Sequence, residues 1–447
     1  MKKRKVNFIL YWMFWSIVAV CCWNLNGIGG LVTGRGQVFS IVLLVGCLFV
    51  LAASGQQFFK SLSNTGIAYL IFMILSVGVG FILRQDFTLA RAYACSCLIV
   101  LASTTGAREI ILKRGYSEFM RLLAIFVCIG SFTVFLSPMV RGYYRNTNLS
   151  NTYEFGRWNG FFVNPNSAGF AGVWGLVAAI GFLLVAKKKY TQLFCYALVV
   201  GCLSSMVMTF SRGAMITGFA FIISVAFFLL TTNKHVSKKF RNLARITILA
   251  CVAFTVGGIW FIMSGVENFD LSRVQKSRVV AMQRMLTGQA TSSNEQGGRV
   301  QFAKFGLEYW TESPFIGHGL GSMQKMPSRY GGIGCHNMHV SVLGESGLLG
   351  FIAYLIFLIL FALQIQKYKS SPPAKVFLYG VLGVYILYGM SSHNILDDRT
   401  TNVIWGIAFA VMSITASRLQ ELSPQQHPSS QFRPMPGQYW TQQPSQF

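Results

Sequence analysis

A chain of 447 residues that is 53% hydrophobic and only 11% charged, with a mean hydropathy of +0.50, is not an ordinary soluble globule. Its 38 Lys and Arg against 13 Asp and Glu leave a net charge of +25, and that excess gathers on alternate hydrophilic connections, which is the pattern of membrane topology and not of a nucleic-acid surface. The composition predicts an all-α polytopic membrane protein, because lipid offers no partner for an unpaired backbone amide.

A span takes roughly 20 mainly apolar residues. About twelve stretches qualify once weak and Gly-rich ones are included, near 6–23, 38–53, 65–83, 88–106, 119–137, 166–185, 191–209, 214–230, 246–263, 338–363, 376–391 and 402–417. The membrane domain therefore covers 1–418, interrupted by a large outer loop at 264–336 with interfacial helices, and 419–447, rich in Gln, Pro and Ser, is expected to be a disordered tail. Lys2–Lys5, Lys60, Arg108, Lys113, Arg114, Arg121, Lys187–Lys189, the run Lys234 to Arg245, and Lys367, Lys369 and Lys375 all fall on one side. The positive-inside bias makes that side cytoplasmic, with both termini on it and Gly317–Gly350 on the outer face. No small-residue cleavage site follows Val6–Trp23, which reads as a retained span. Nine of the ten cysteines lie in predicted spans as small apolar residues; Cys335 is the loop cysteine, and neither a disulfide framework nor a metal spacing emerges.

In chain order, the first four spans have short connections and read as scaffold. Arg91, about one turn inside the fourth, either snorkels to the interface or helps to hold an anionic ligand. The first sizeable outer loop, Met139 to about Pro165, carries Arg141, Arg145 and Arg157 among aromatic residues, a mixture that suits a headgroup boundary and equally a sugar. Asn159-Gly160 and Asn164-Pro165-Asn166 form turns there, and Asn166-Ser167 stands where it can cap the following span. Between the seventh and eighth spans the connection shrinks to Phe210-Ser211-Arg212-Gly213, which leaves an arginine at the end of two apolar helices. On an acid-poor face, an anionic ligand is a better partner for it than a carboxylate.

Over Leu271–Leu286, Val279, Met282 and Leu286 share one side while Arg273, Lys276 and Arg284 favour another, as in a helix lying on the outer leaflet. After the polar break Thr287–Gly298, Arg299 starts a second helical piece, in which Phe302, Phe305 and Tyr309 pack and backbone amides join the guanidinium in facing an anion. Gly317-His318-Gly319-Leu320-Gly321 has the glycines of a nucleotide loop but no preceding strand, so it reads as a tight turn. His336 comes next, followed by Asn337, Ser341 and Glu345 at four-residue steps, a polar stripe at the start of the tenth span. A histidine, with an unperturbed pKa of about 6.5, is able to take a proton from a sugar hydroxyl at the membrane surface; the plainer alternative is a structural histidine. In the last outer connection, Ser391–Thr401, Asp397 or Asp398 orients His336, pairs with an arginine, or is simply solvated.

His336-Asn337 followed by Glu345-Ser346-Gly347-Leu348-Leu349-Gly350 resembles the signature of the bacterial O-antigen ligase and Wzy-type O-antigen polymerase family. Gly160–Gly169, Ser211-Arg212-Gly213, and Gly298-Arg299 leading through Trp310 and Ser313-Pro314 to Gly317–Gly321 sit in the family's order, so the resemblance covers roughly residues 155–350. It implies a GT-C-like, inverting, metal-independent glycosyltransferase of the bacterial inner membrane, without a cofactor, whose active site faces the periplasm. The donor is then a glycan on undecaprenyl pyrophosphate, with Arg212 and Arg299 on the pyrophosphate and His336 as base or positioning group for the acceptor hydroxyl. Asn337, Glu345, Arg157, Asn164, Asn166 and Asp397 support the site. His339 departs from the usual pattern. The short segment between Gly321 and His336 and the Asn-Pro-Asn element favour a polymerase, whose acceptor is another lipid-linked repeat unit, over a ligase, whose acceptor is lipid A–core. A chain-length regulator protein is a further partner under the polymerase reading. A lipid-linked-oligosaccharide transporter is the alternative from another class, and it is disfavoured because transporters gather their polar groups near the bilayer midplane.

Overall fold

The computed structural model describes residues 7–33, 36–55, 57–140, 157–162, 164–231, 297–368, 371–392 and 395–415, with isolated positions at 242–287 and at 418–419. Its elements are α1 (Phe8–Cys22), α2 (Leu25–Thr33), α3 (Gly36–Ser54), α4 (Gln57–Ser61), α5 (Asn64–Arg84), α6 (Phe87–Arg114), α7 (Tyr116–Phe132), α8 (Pro165–Val185), α9 (Lys189–Met208), α10 (Arg212–Thr231), α11 (Gly297–Trp310), α12 (Met338–Gln366), α13 (Pro372–Gly389) and α14 (Arg399–Met412), with 3-10 turns at Thr133–Leu136 and Ser328–Tyr330. Every regular element among the described residues is helical. Side chains that accept from amides of the first turn set several of the starts: Asn7 for α1, Ser63 for α5, Asp86 for α6, Asn164 for α8, Asn337 for α12 and Asp398 for α14. The cap of α8 is thus Asn164, with Pro165 behind it in the first turn, and not Asn166-Ser167.

Among the described residues, seven helices are long and apolar enough to cross a membrane: α5 to α10, with α7 continuing to Val140, and α12. Of the twelve expected spans, the first two are the shorter apolar helices Phe8–Cys22 and Val38–Ser54. The eleventh and twelfth coincide with α13 and α14 but do not join the seven, and the 14 residues of α14 rise only about 21 Å, less than the roughly 30 Å of hydrocarbon. The ninth, 246–263, falls outside the described residues apart from scattered positions, as do the helix expected over 271–286, the loop arginines Arg141 and Arg145, and most of 419–447.

The core is centred on α8, 94% of whose apolar window is buried against neighbouring helices. Small residues permit this: a Cβ on Gly172 would stand 2.5 Å from the Met206 side chain and one on Gly175 2.7 Å from Cys202, both on α9. Tyr69, Phe357, Phe361, Trp405 and Phe409 pack as an aromatic cluster joining α5, α12 and α14. Trp174 donates to the Thr401 hydroxyl at 3.1 Å, which ties α8 to α14. Nine described cysteines are free thiols, in keeping with their reading as small apolar residues, and Cys251 lies outside the described residues.

Candidate functional site

One end of the bundle, where α5, α7, α9 and α13 finish and α8, α10, α12 and α14 begin, gathers the conspicuous polar residues. Its first part is a corner made by the chain ahead of α8 and the short α9–α10 link. Arg157 is only 6% exposed; its Nε donates to the Thr209 carbonyl at 2.6 Å and its Nη2 to the Asn166 Oδ1 at 3.0 Å. Asn164 accepts from the Asn166 amide at 2.8 Å, so these three residues form one brace. Trp158 N–H also donates to the Met208 carbonyl. A Cβ on Gly169 would stand 2.8 Å from Ser211, and one on Gly213 3.0 Å from the Ser391 hydroxyl. Glycine at both positions lets α8, the Ser211-Arg212-Gly213 link and the end of α13 meet. Arg212, half-buried, opens α10 at this meeting point, directly after Phe210 on left-handed backbone (φ 49°).

Its second part is a break in α12. Gly347 has φ 62° and ψ −163°, a conformation open essentially to glycine alone, and the helix ladder is interrupted there. The segment Pro314–Gly319 fills the gap. His318 and Gly319 donate to the carbonyls of Gly344 and Glu345 at 2.8 and 3.0 Å, while Leu348 and Leu349 donate to Pro314 and Phe315 at 2.9 and 3.3 Å. The glycine turn is therefore structural, with φ of 74°, 86° and 75° at Gly317, Gly319 and Gly321. Trp310 and Ser313 close it by donating to Pro314 and Gly317 carbonyls at 3.0 and 2.8 Å. The stripe Asn337, Ser341, Glu345 points into this packing: Ser341 lies 3.1 Å from the Cys335 thiol, and Glu345, 8% exposed, accepts from the Gly321 and Met323 amides with Arg84 of α5 as its attractive charge. Cys335 is itself buried, which pushes its thiol up from the usual range, so it acts as a packing residue of the turn before His336.

The third part is the set of histidines. The His318 Nε2 is 2.7 Å from the Tyr309 carbonyl and its ring stacks on Tyr309 at 3.8 Å. The His339 Nε2 is 3.1 Å from the Ile386 carbonyl, and its Nδ1 is 2.9 Å from the Tyr354 hydroxyl. A carbonyl only accepts, so each of these rings carries its proton on Nε2 toward the backbone, and the His339 Nδ1 accepts from Tyr354. Both are structural. His336 differs: it is half-buried, sits on left-handed backbone (φ 51°) immediately before the Asn337 cap, and meets the edge of Phe302 at 6.1 Å. Phe302 lies on α11, one turn after Arg299, so that turn of α11 is set against the start of α12. Gly389 connects this part to the first, since a Cβ there would stand 2.9 Å from His339.

Asp397 lies in the turn before α14, half-buried beside Asp398; burial, with that neighbouring charge second, pushes its carboxyl up to about 7. Asp398 caps α14, accepting from the Thr401 amide at 2.9 Å and from its hydroxyl, and is also held above the ordinary range by burial. Arg91 is exposed, as a snorkelling residue would be. Sequence reasoning missed the break in α12, although a Gly inside an apolar run next to Glu345 was a signal for it. It also missed Arg399, which reaches Ser40 of α3 at 3.1 Å, and the clamp of Arg329 on Glu312 at 2.6 and 2.8 Å.

The O-antigen ligase family model matches residues 197–355, from α9 to the middle of α12, a stretch that holds Arg212, Arg299, His336, Asn337 and Glu345. Over that stretch the chain is similar to the O-antigen ligase family. That similarity, together with the apolar helices, supports a multi-pass membrane protein with a glycosyltransferase-like activity, as ligase or related polymerase. Arg157, Asn164, Asn166 and Asp397 lie outside the matched residues. No curated protein matches the chain.

Proposed function

We propose that this protein is an inverting, metal-independent, GT-C-like glycosyltransferase of the bacterial inner membrane, which takes its glycan from undecaprenyl pyrophosphate at the periplasmic face. The observation that carries the reading is the convergence at one bundle end of the Arg212 corner, the first turns of α11 and α12, and His336, which meets Phe302 of α11 at the start of α12. In the reaction, His336 receives the proton of the acceptor hydroxyl. The acceptor oxygen bonds to the anomeric carbon from the face opposite the leaving group, and the carbon–oxygen bond to phosphate breaks, leaving its electron pair on the lipid pyrophosphate. Arg212 and Arg299 stabilise that charge, aided at Arg212 by the amides of the first turn of α10. Arg157, Asn164 and Asn166 hold the corner in place, Asn337 and Glu345 the start of α12, and Asp397 the turn beside it.

We assign another lipid-linked repeat unit as the acceptor, so that the activity is a polymerase and a chain-length regulator a natural partner, because the segment from Gly321 to His336 is short and clamped by Arg329 on Glu312. The description of the matching family favours a ligase, with lipid A–core as acceptor. Purified protein supplied with defined lipid-linked repeats tests both. Chain extension without lipid A–core supports the polymerase, product only with lipid A–core supports the ligase, and no product with either acceptor rejects the transferase.

A further inference from the structure

The end of the bundle away from His336 carries positive charge that the protein does not answer. There α6 and α14, which both start at the site end, lie side by side; a Cβ on Gly406 would stand 2.5 Å from Ser103 and 3.1 Å from the Thr104 amide. Arg108 follows Thr104 by one turn on the same face of α6, toward the far end of α14. Arg418, exposed just beyond that end, is the like charge that repels it. The nearby carboxylates are engaged elsewhere: Glu109 attracts Arg108 but lies 2.8 Å from the Lys113 ammonium, and Glu118 is 3.0 Å from Arg114. The last carbonyls of α14, a usual partner for a cation at a helix end, are taken by neutral groups. Gln364 donates to Met412 at 3.5 Å, Ser413 donates to Ala410 at 2.7 Å, and the Tyr368 hydroxyl reaches the Val411 and Ile414 carbonyls at 3.0 and 2.8 Å. The Arg108 Nε is buried and meets no acceptor among the described residues.

Two neighbouring guanidiniums, one with a desolvated donor left over, fit an oxyanion that accepts from both. We propose that Arg108 and Arg418 form a phosphate-binding site at the end of the bundle opposite His336. A phosphate presents oxygens in the spacing that a guanidinium fork recognises, and one such group between the two arginines removes their repulsion. The membrane sets the source. The 28 residues of α6 rise about 42 Å, more than the roughly 30 Å of hydrocarbon, and Arg108 stands about 9 Å before their end. It is therefore at the boundary where phospholipid headgroups are within reach of a long side chain. Lys60 adds positive charge to the rim: it is exposed in α4, whose next residue, Ser61, has its hydroxyl 3.2 Å from that of Thr105 on α6. An anionic phospholipid, which carries no positive group of its own to repel the arginines, is the ligand this setting selects over a zwitterionic one.

The test is thermal unfolding of the full chain in neutral detergent, titrated at constant ionic strength with phosphatidylglycerol, phosphatidylcholine or inorganic phosphate. A ligand of the folded state raises the midpoint in a concentration-dependent way, which gives an apparent affinity. Phosphatidylglycerol is expected to stabilise the wild type and phosphatidylcholine to do so much less. Stabilisation by inorganic phosphate alone would make soluble phosphate the source of the bound group; stabilisation by neither phosphatidylglycerol nor inorganic phosphate overturns the site. Arg108→Gln and Arg418→Gln are each expected to weaken the stabilising ligand about tenfold, and the double variant little more than either, because both arginines hold one phosphate. Arg121→Gln, at an exposed position of α7, is the control for diffuse surface charge and is expected to bind as the wild type does. Equal losses in all three single variants, or losses in none, overturn the proposal. Arg418 is exposed, so its variant keeps the test decisive even where Arg108→Gln fails to fold. No turnover is read, so the outcome is independent of the transferase reading.

Discussion

His318, His336 and His339 lie within one stretch of chain, and their surroundings give them different chemistry. Two rings donate to backbone carbonyls and are held in one tautomer; the third occupies strained backbone at a helix start. His336→Ala is therefore expected to lower glycan transfer by about 10²–10⁴-fold with the protein still folded in detergent. His339→Ala removes the link between α12 and α13 and is expected to lower thermal stability first. Transfer at the normal rate by folded His336→Ala protein would refute its role. Asp397 makes a pH prediction. Its folded pKa of about 7 lies above the unfolded value of about 3.9. Between those values the folded state keeps a proton that the unfolded state has released, so stability falls as pH rises from about 4 to about 7 and is then level. Asp397→Asn should flatten that slope in thermal unfolding across the same range, and an unchanged slope would place its cause elsewhere.

At the scale of elements, the break in α12 organises the site end. A broken helix exposes unpaired amides and carbonyls, which is how transporters make ion sites; here Pro314–Gly319 answers those groups with its own backbone. The glycine turn and the Glu345–Gly350 motif are two halves of one joint, which explains why both carry glycine. Gly347→Ala should destabilise the fold by about 1–3 kcal/mol from backbone strain alone, and more because its Cβ would strike the Phe315 carbonyl. Earlier thermal unfolding together with faster proteolysis between residues 311 and 350 is the expected readout; wild-type behaviour in both would show that the break is not needed. At the other corner, Arg157 braces Thr209 and Asn166, a bond set that joins residues far apart in sequence and that a loop-anchor reading does not contain.

For the whole molecule, the charge pattern predicts that the Gly317–Gly350 face and the Lys187–Lys189 connection lie on opposite sides of the membrane. Lys325→Cys and Lys187→Cys are both exposed positions away from the site. In intact spheroplasts a membrane-impermeant maleimide should label the first and reach the second only after permeabilisation; the reverse would invert the topology. Sequence alone determined the membrane class, the places of the long apolar helices and the candidate residues Arg212, Arg299 and His336, because lipid solubility and isolated charge are properties of short stretches. Only tertiary structure decided that His318 and His339 bond to backbone carbonyls, that the glycine turn completes a broken helix, and that Arg157 is a brace. Those features consist of hydrogen bonds and packing between residues tens to hundreds of positions apart, and local pattern carries no record of which distant partner a polar group will meet.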